Sequence, residues 1–339
     1  MLRLFKDAHY DFIGVRRWAY GFSALLIIPG LLWLLATGFN YSVEFTGGTF
    51  IQLRTTTPIG TGAIRTALTN GGVTGADVQS FGSETEYALR ARVSAERAGT
   101  DAGTEETVAA VQRALDAGLG NGTYTIVRRE AVGPKVGREL QEKALIAILF
   151  SFVVTLVYLA FRFEWRFGLA AIIATGHDIL ATIAFIRYLN LEVSLVVVAA
   201  VLTIVGYSLN DTIVIFDRVR ENLRKYRRQN LYEILNLSIN ETLPRTILTG
   251  GTTILTALTL AFIAGEVIRP FSLVMTFGIV VGTFSSIFVA SPVLLWIERR
   301  WPGQDARGVR TLSTREPASQ FAPKTPTSSS SPRTPQPAR

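Results

Sequence analysis

Four ionisable side chains lie within or at the edge of long apolar stretches of this chain: His177, Asp178, Asp211 and Arg245. A charge in hydrocarbon costs several kcal/mol, so each needs a partner or a task. Asp211 follows Asn210 and sits about five residues, or roughly 8 Å, inside the end of its apolar stretch near Phe216. That is too deep for a short carboxylate to reach water. Such a group is either half of a structural ion pair or a titrating site in an ion pathway. Beside hydroxyl and amide oxygens, a carboxylate suits either H⁺ or Na⁺. Arg245 marks the start of the following stretch, where a long guanidinium stem can reach inward. His177 and Asp178 are sequence neighbours and point about 100° apart on a helix, so they are not an obvious dyad. They read equally as a polar packing element and as part of a proton path.

Hydroxyls line up near these groups. Thr246, Thr249, Thr253 and Thr256 are spaced 3, 4 and 3 and share a helical face. Thr203, Tyr207, Asn210 and Val214 share another, with Asp211 at its edge. Polar stripes in a membrane helix face protein or water, not lipid. Farther on, Gly278, Gly282, Ser286 and Ala290 recur every fourth residue, a small-residue face for close helix packing.

The elements that must position these groups are membrane helices. Of 339 residues, 48% are hydrophobic and only 18% charged, and the apolar ones gather into six blocks. The blocks are Trp18–Gly38, about Ala144–Phe161, Gly168–Ile186, Val193–Phe216, Ile247–Ala264 and Phe271–Ile297. Each is near the ~20 residues that cross a bilayer. An ordinary soluble enzyme, a disordered chain and an outer-membrane barrel are thereby excluded. The first block is too long for a signal peptide and lacks an A-x-A cleavage pattern, so it reads as a retained span. With 0 cysteines and only His9 and His177, thiolate catalysis, Cys-ligated clusters and multi-histidine metal sites are out. There is no G-x-x-x-x-G-K-[ST] loop to hydrolyse a nucleotide. No cofactor is expected, and no enzymatic activity.

Arg3, Lys6, Arg16 and Arg17 precede the first span, Arg162 and Arg166 follow the second, a basic run from Arg218 to Arg228 follows the fourth, and Arg299 and Arg300 end the sixth. The alternate short loops hold only Arg187 and Arg269. The positive-inside rule puts residues 1–17 and 301–339 in the cytoplasm, the latter as a disordered Ser/Thr/Pro/Arg tail, and residues 39–143 outside. The net charge of +8 is thus read as membrane topology and not as a nucleic-acid surface. Residues 144–300 form the bundle of spans two to six.

The outer insert reads as β (Thr49–Arg54), α (Gly62–Asn70), β (Asp77–Gly82), β (Glu86–Arg92), α (from an N-cap at Thr104 to Leu119) and β (Thr123–Arg129). This is the ferredoxin-like pattern. The predicted fold is an α-helical polytopic membrane protein of six transmembrane helices, with an extracytoplasmic ferredoxin-like α+β (βαββαβ) domain between helices 1 and 2.

Four ordered motifs carry a family resemblance: NYSVEFTGGT (Asn40–Thr49), VGPKVGREL (Val132–Leu140), GYSLNDTIVIFDRVREN (Gly206–Asn222) and ETLPRTILTGGTT (Glu241–Thr253). Together they resemble the SecF family, the smaller subunits of the bacterial SecD–SecF protein translocase accessory complex, in the RND superfamily. The resemblance covers about residues 10–300. It implies a multi-pass protein of the bacterial inner membrane that assists translocation and is driven by the proton-motive force. The implied partners are SecD, the SecYEG channel, YajC, YidC and the translocating preprotein, with no nucleic acid. It also implies that Asp211 and Arg245 are proton-path residues. A small-molecule exporter of the same superfamily is the second reading, disfavoured by six spans and one outer domain. An intramembrane aspartyl protease using Asp178 and Asp211 is a distant third, because neither G-H-D nor L-N-D matches the paired motif of such enzymes.

Overall fold

The computed structural model describes residues 9–73, 76–91, 101–226, 228–265 and 267–301. The expected tail from residue 302, the basic residues Arg3, Lys6 and Arg227, and Arg92 of the expected third strand lie outside the described residues. Among those described, six helices are long and apolar enough to cross a membrane.

Helix α1 (Arg16–Thr37) leads through the short α2 (Val43–Thr46) into a separate sheet domain. The domain contains β1 (Gly48–Thr55), α3 (Thr61–Asn70), β2 (Asp77–Phe81), β3 (Ser83–Ala91), α4 (Asp101–Leu119) and β4 (Tyr124–Val132). Its sheet is antiparallel throughout in the order β2-β3-β1-β4, the ferredoxin-like topology. Helix α4 begins at Asp101, so Thr104 lies inside the helix and is not its N-cap. The turn between β2 and β3 is also tighter than expected. It narrows to Gly82, whose φ of 80° suits a residue without Cβ.

Alternation puts Ile51, Leu53 and Leu89 on one sheet face, where they meet Ile64, Leu68, Val111 and Leu115 of α3 and α4. On the other face Phe50 and Ala88 pack against Val43 of α2. The two helices approach closely: a methyl at Gly71 would lie 2.2 Å from Cβ of Ala114. Tyr87 fixes the loop before α3, accepting from the amides of Ile59 and Gly60 and donating to the Glu84 carbonyl. Tyr124 ties β4 to Asp116 of α4 at 2.8 Å. Burial, and then the Asp116 carboxylate, push the Tyr124 phenol above its ordinary range.

The chain returns through α5 (Pro134–Arg162), α6 (Trp165–Tyr188), α7 (Leu195–Lys225), α8 (Leu231–Ile263) and α9 (Arg269–Ser285). A π-turn (Ser286–Ala290) then leads into α10 (Ser291–Arg300). Half of the apolar window of α6 and of α7 is buried, and 61% of the α9–α10 window, against 22% for α1 and α8 and 6% for α5. Helices α6, α7 and α9 are therefore the centre, and α5 lies at the edge. The π-turn has a local cause. Pro292 lacks an N–H and crowds the carbonyl four residues back, so the helix widens just before it. The Ser291 hydroxyl donates to the Ser286 carbonyl at 3.1 Å across the wide turn.

Helices α7 and α8 extend well beyond their apolar blocks. Much of the basic segment between the fourth and fifth apolar blocks is helix, since α7 runs to Lys225 and α8 starts at Leu231. A capping box formed by Asn230 and Glu233 starts α8. Arg218 on α7 pairs with Glu241 on α8 at 2.7 Å and with Glu221 at 2.6 Å. These polar helical turns give no hydropathy signal.

The extended part of α8 also grips the segment before α1. Asn240 accepts from the Tyr10 amide at 3.0 Å and donates to its carbonyl at 2.9 Å, much as a neighbouring strand would. One turn earlier Asn236 accepts from the Ile13 amide and donates to Asp11, and Tyr232 donates to the same carboxylate.

The complete core of the sheet domain predicts independent folding. Residues 45–132 expressed alone should be a soluble monomer with a mixed α/β circular dichroism spectrum and one cooperative thermal transition. A coil spectrum or no transition would show that the domain needs the bundle.

Candidate functional site

Where α6, α7 and α9 meet inside the bundle, the chain gathers polar groups from four helices. Asp178 of α6 is 1% exposed. Its Oδ1 lies 2.9 Å from Nδ1 of His177, and its Oδ2 accepts from Ser285 of α9 at 2.7 Å and from Ser208 of α7. The other ring nitrogen of His177, Nε2, lies 2.9 Å from the Ser23 hydroxyl of α1. With Asp178 ionised, Nδ1 donates to it, and Nε2 is left to accept from Ser23 in the neutral ring. His177 and Asp178 therefore do form a bonded pair, contrary to their divergent directions on an ideal helix. Nδ1 is the ring nitrogen nearer the backbone, and it reaches Oδ1 of the short Asp side chain.

One turn along α7, Asp211 is 4% exposed. Its partner is Thr283 of α9, whose hydroxyl lies 3.4 Å from Oδ2, long for an O–H···O bond. Beside it the Thr212 hydroxyl lies 2.9 Å from that of Ser286. Arg245 stands near enough for its charge to act on the Asp211 carboxylate through space. Among the described residues no ion pair joins it to Asp211, and Arg245 is exposed. Arg245 is not at a helix start but well inside Leu231–Ile263, just after Pro244, and its side chain is exposed.

At this level α7 and α8 are joined instead by Tyr207, whose hydroxyl lies 3.2 Å from the Thr249 carbonyl and 3.1 Å from Oγ1 of Thr253. The threonine row runs from Thr246, 1% exposed, to Thr256, which is exposed. The hydroxyl of Thr246 has no hydrogen-bond partner among the described residues. Asn210 and Thr203 are also exposed.

The small-residue face of α9 lies against α7. A methyl at Gly278 would come within 2.2 Å of the Ile204 side chain, and one at Gly282 within 2.9 Å of Cβ and 3.2 Å of Cα of Ser208. These glycines bring Ser285, Ser286 and Thr283 close enough to bond α7. Ser23, Ser208, Ser285, Thr212 and Thr283 were not singled out from sequence. Isolated hydroxyls on separate helices have no mutual spacing, and only the Ser285-Ser286 doublet ahead of Pro292 offered a cue. Among the described residues no group of three or more His, Cys, Asp or Glu could hold a metal ion.

Six membrane-capable helices, a sheet domain between the first two and carboxylates buried in the bundle define a polytopic membrane protein with ionisable groups at hydrocarbon depth. Two family models match: "Protein export membrane protein SecD/SecF, C-terminal" over residues 113–300, and "SecD/SecF GG Motif" over residues 32–59. A relative from Gemmatimonas aurantiaca, protein translocase subunit SecF, is 54% identical over 91% of this chain and 95% of its own length. Its counterpart from Rickettsia felis is 41% identical over 86% of this chain and 92% of its own length. A crystal structure of SecDF from Thermus thermophilus, a translocon-associated membrane protein, aligns at TM-score 0.77 and 36% identity, covering 87% of this chain. SecDF in a super-membrane-facing form aligns at 0.63 and 38% identity, again over 87% of this chain. This chain spans 39% of the length of each of those solved chains. The chain belongs to the SecD/SecF family of protein export membrane proteins.

The seam between α7 and α9 makes a direct prediction. Gly282→Ala should lower stability by about 1–3 kcal/mol, because the added methyl meets α7 near its backbone. Gly176→Ala, at a helical position with nothing within 4 Å, should not. Thermal unfolding of both variants in detergent checks this; equal midpoints would show that the seam is not tight.

Proposed function

We propose that this chain is the smaller subunit of a proton-driven membrane machine that assists the passage of polypeptides through the Sec channel, and that it works with SecD. Family membership and relatives named protein translocase subunit SecF support the translocation role. The solved SecDF chains support SecD as the partner, since this chain matches only 39% of their length and a second subunit would supply the remainder. The exposed polar residues of α7 and α8 fit that arrangement. Asn210, Thr203 and Arg245 are among them, and polar groups at this depth need protein or water beside them. SecYEG, YajC, YidC and the emerging preprotein complete the assembly in this reading.

The observation that carries the proton assignment is the contrast between two buried carboxylates. Asp178 is bonded by His177, Ser208 and Ser285, whereas Asp211 has one long contact from Thr283. A carboxylate held by three groups is fixed in place. One held by a single weak contact, beside an exposed polar flank, is free to exchange a proton. Asp211 is therefore the titrating site. Asn210, Thr249 and Thr253 line the approach from the flank, and Arg245, whose stem can reach inward, neutralises Asp211 when the proton leaves. His177 and Asp178 form the fixed arm of the path and anchor α1 to the bundle through Ser23. Gly278, Gly282 and Ser286 keep α9 close enough to α7 for each protonation to change their packing. The membrane potential supplies about 2.3 kcal/mol per charge per 100 mV.

In this reading the chain sits in the bacterial inner membrane, with the sheet domain outside and residues 1–17 and 301–339 in the cytoplasm. A cysteine at Ser83 should react with an impermeant maleimide in intact spheroplasts, and one at Gln229 should not. The native chain has no cysteine, so the labelling background is clean. The reverse pattern would overturn the orientation.

For the proton site, reporter export is measured in vesicles with ATP fixed and the gradient on or off. Asp211→Asn should remove the gradient-dependent part, at least tenfold, while assembly with SecD stays normal. Asp211→Glu should retain part of it, and Arg245→Lys should fall below wild type because an ammonium lacks the bidentate fork. An Asn variant that still responds like wild type would sink the assignment.

A further inference from the structure

The sheet domain is tied to the bundle not only through α1 and α5 but also at the start of α7. After α1 the chain runs beside the α6–α7 loop, where Tyr41 and Val193 form a parallel β-bridge. The Val193 amide donates to the Asn40 carbonyl at 2.8 Å, and the Ser42 amide to the Val193 carbonyl at 3.0 Å. Arg90, from β3, reaches the same loop. Its guanidinium pairs with Glu192 at 2.5 Å and donates to the side-chain oxygen of Asn40 at 3.2 Å. The last contact is the most telling. Oε2 of Glu44 accepts from the Leu195 amide at 2.6 Å, the first N–H of α7. A helix start leaves its first amides without intrahelical partners and carries partial positive charge, so a carboxylate there is bound by both effects. Ser194 accepts from Val197 at the same end.

Helix α7 is an unbroken rod. It has no interior proline and no π-turn, whereas α1 contains Pro29, α8 contains Pro244 and α9 ends in the π-turn. At 1.5 Å per residue, Asp211 lies roughly 24 Å along it from the Glu44 contact. A shift of α7 at the level of Asp211 is thus carried to the residue that Glu44 holds. We propose that Glu44 is a positioning residue that locks the outer domain onto the first turn of α7. Movement of α7 then reaches the domain directly, through a joint that stays closed during the cycle. The inference rests on the proton-driven reading above.

The test uses the full chain assembled with SecD in vesicles. Tyr41 and Val193, on adjacent bridged segments about 4.8 Å apart, are within disulfide reach. The oxidised Tyr41→Cys/Val193→Cys protein should keep gradient-dependent export within twofold of its reduced form. Loss on oxidation that reducing agent reverses would mean that the joint must open, and would overturn the proposal. Glu44→Ala should lower gradient-dependent export at least fivefold. Adding the two cysteines and oxidising after assembly should restore it to within twofold of the crosslinked parent. A residue needed only for folding would not be rescued at that stage. If Glu44→Ala does not accumulate, Glu44→Gln, which keeps an acceptor but not the charge, carries the same comparison with a smaller loss. Wild-type export without restored function in the crosslinked variant, or unimpaired export in the alanine variant, would also overturn it. Amide hydrogen exchange at Leu195–Val198 is read in parallel and does not depend on export. It should speed at least tenfold in Glu44→Ala and recover on crosslinking. If wild type itself ignores the gradient, the proton reading fails and exchange alone decides the joint, with unchanged rates refuting it.

Discussion

A polar group inside a membrane must be satisfied by protein, because the lipid offers no hydrogen bonds. The centre of this bundle is organised around that constraint. Asp178 is held by a histidine from its own helix and by serines from α7 and α9, while that histidine reaches a serine of α1. The four helices are thus bonded to one another at a single level. Removing any one of these hydroxyls leaves a buried polar atom short of a partner, at a cost of about 1–3 kcal/mol. Asp211, one turn away, lies outside this closed set, and its single long contact with Thr283 sets it apart.

The backbone follows from the same requirement. Short hydroxyl side chains reach a neighbouring helix only if the axes come close, which Gly278 and Gly282 allow by removing the side chain that would otherwise meet Ile204 and Ser208. The π-turn after Ser285, forced by Pro292, falls where α9 presents Ser285 and Ser286 to α6 and α7. Single-turn π segments are often found at functional sites, and here the altered pitch coincides with the polar level. At the two ends of the bundle, polar contacts attach other parts of the chain: Tyr232, Asn236 and Asn240 hold residues 10–13 at one end, and Glu44 and Arg90 hold the sheet domain at the other.

Much of this was legible in the residues. Six apolar blocks announce six spans, because hydrocarbon selects on length and composition and not on neighbours. In the outer domain the edge strand β4 alternates as a half-buried strand must, whereas the central β1 is buried at nearly every position. The continuation of α7 to Lys225 and the early start of α8 were not legible, since ion-paired polar helix and polar loop share a composition. The depth of Asp211 could be estimated from its place in a block, but the direction in which Arg245 points depends on the rotation of α8, which spacing along one helix does not reveal. The bond between His177 and Asp178 depends on side-chain torsions, and the Ser23, Ser208 and Ser285 set on contacts between distant segments.

The central claim is that the proton resides on the weakly held carboxylate and not on the one enclosed by hydroxyls. Infrared difference spectra between acid and alkaline samples of the assembled complex address it without any transport assay. For wild type a carboxylic-acid C=O band should appear with acidification. The account predicts that this band is absent from Asp211→Asn and retained in Asp178→Asn. A band that survives in Asp211→Asn and disappears in Asp178→Asn would contradict it, and would place the exchanging proton at the His177–Asp178 pair.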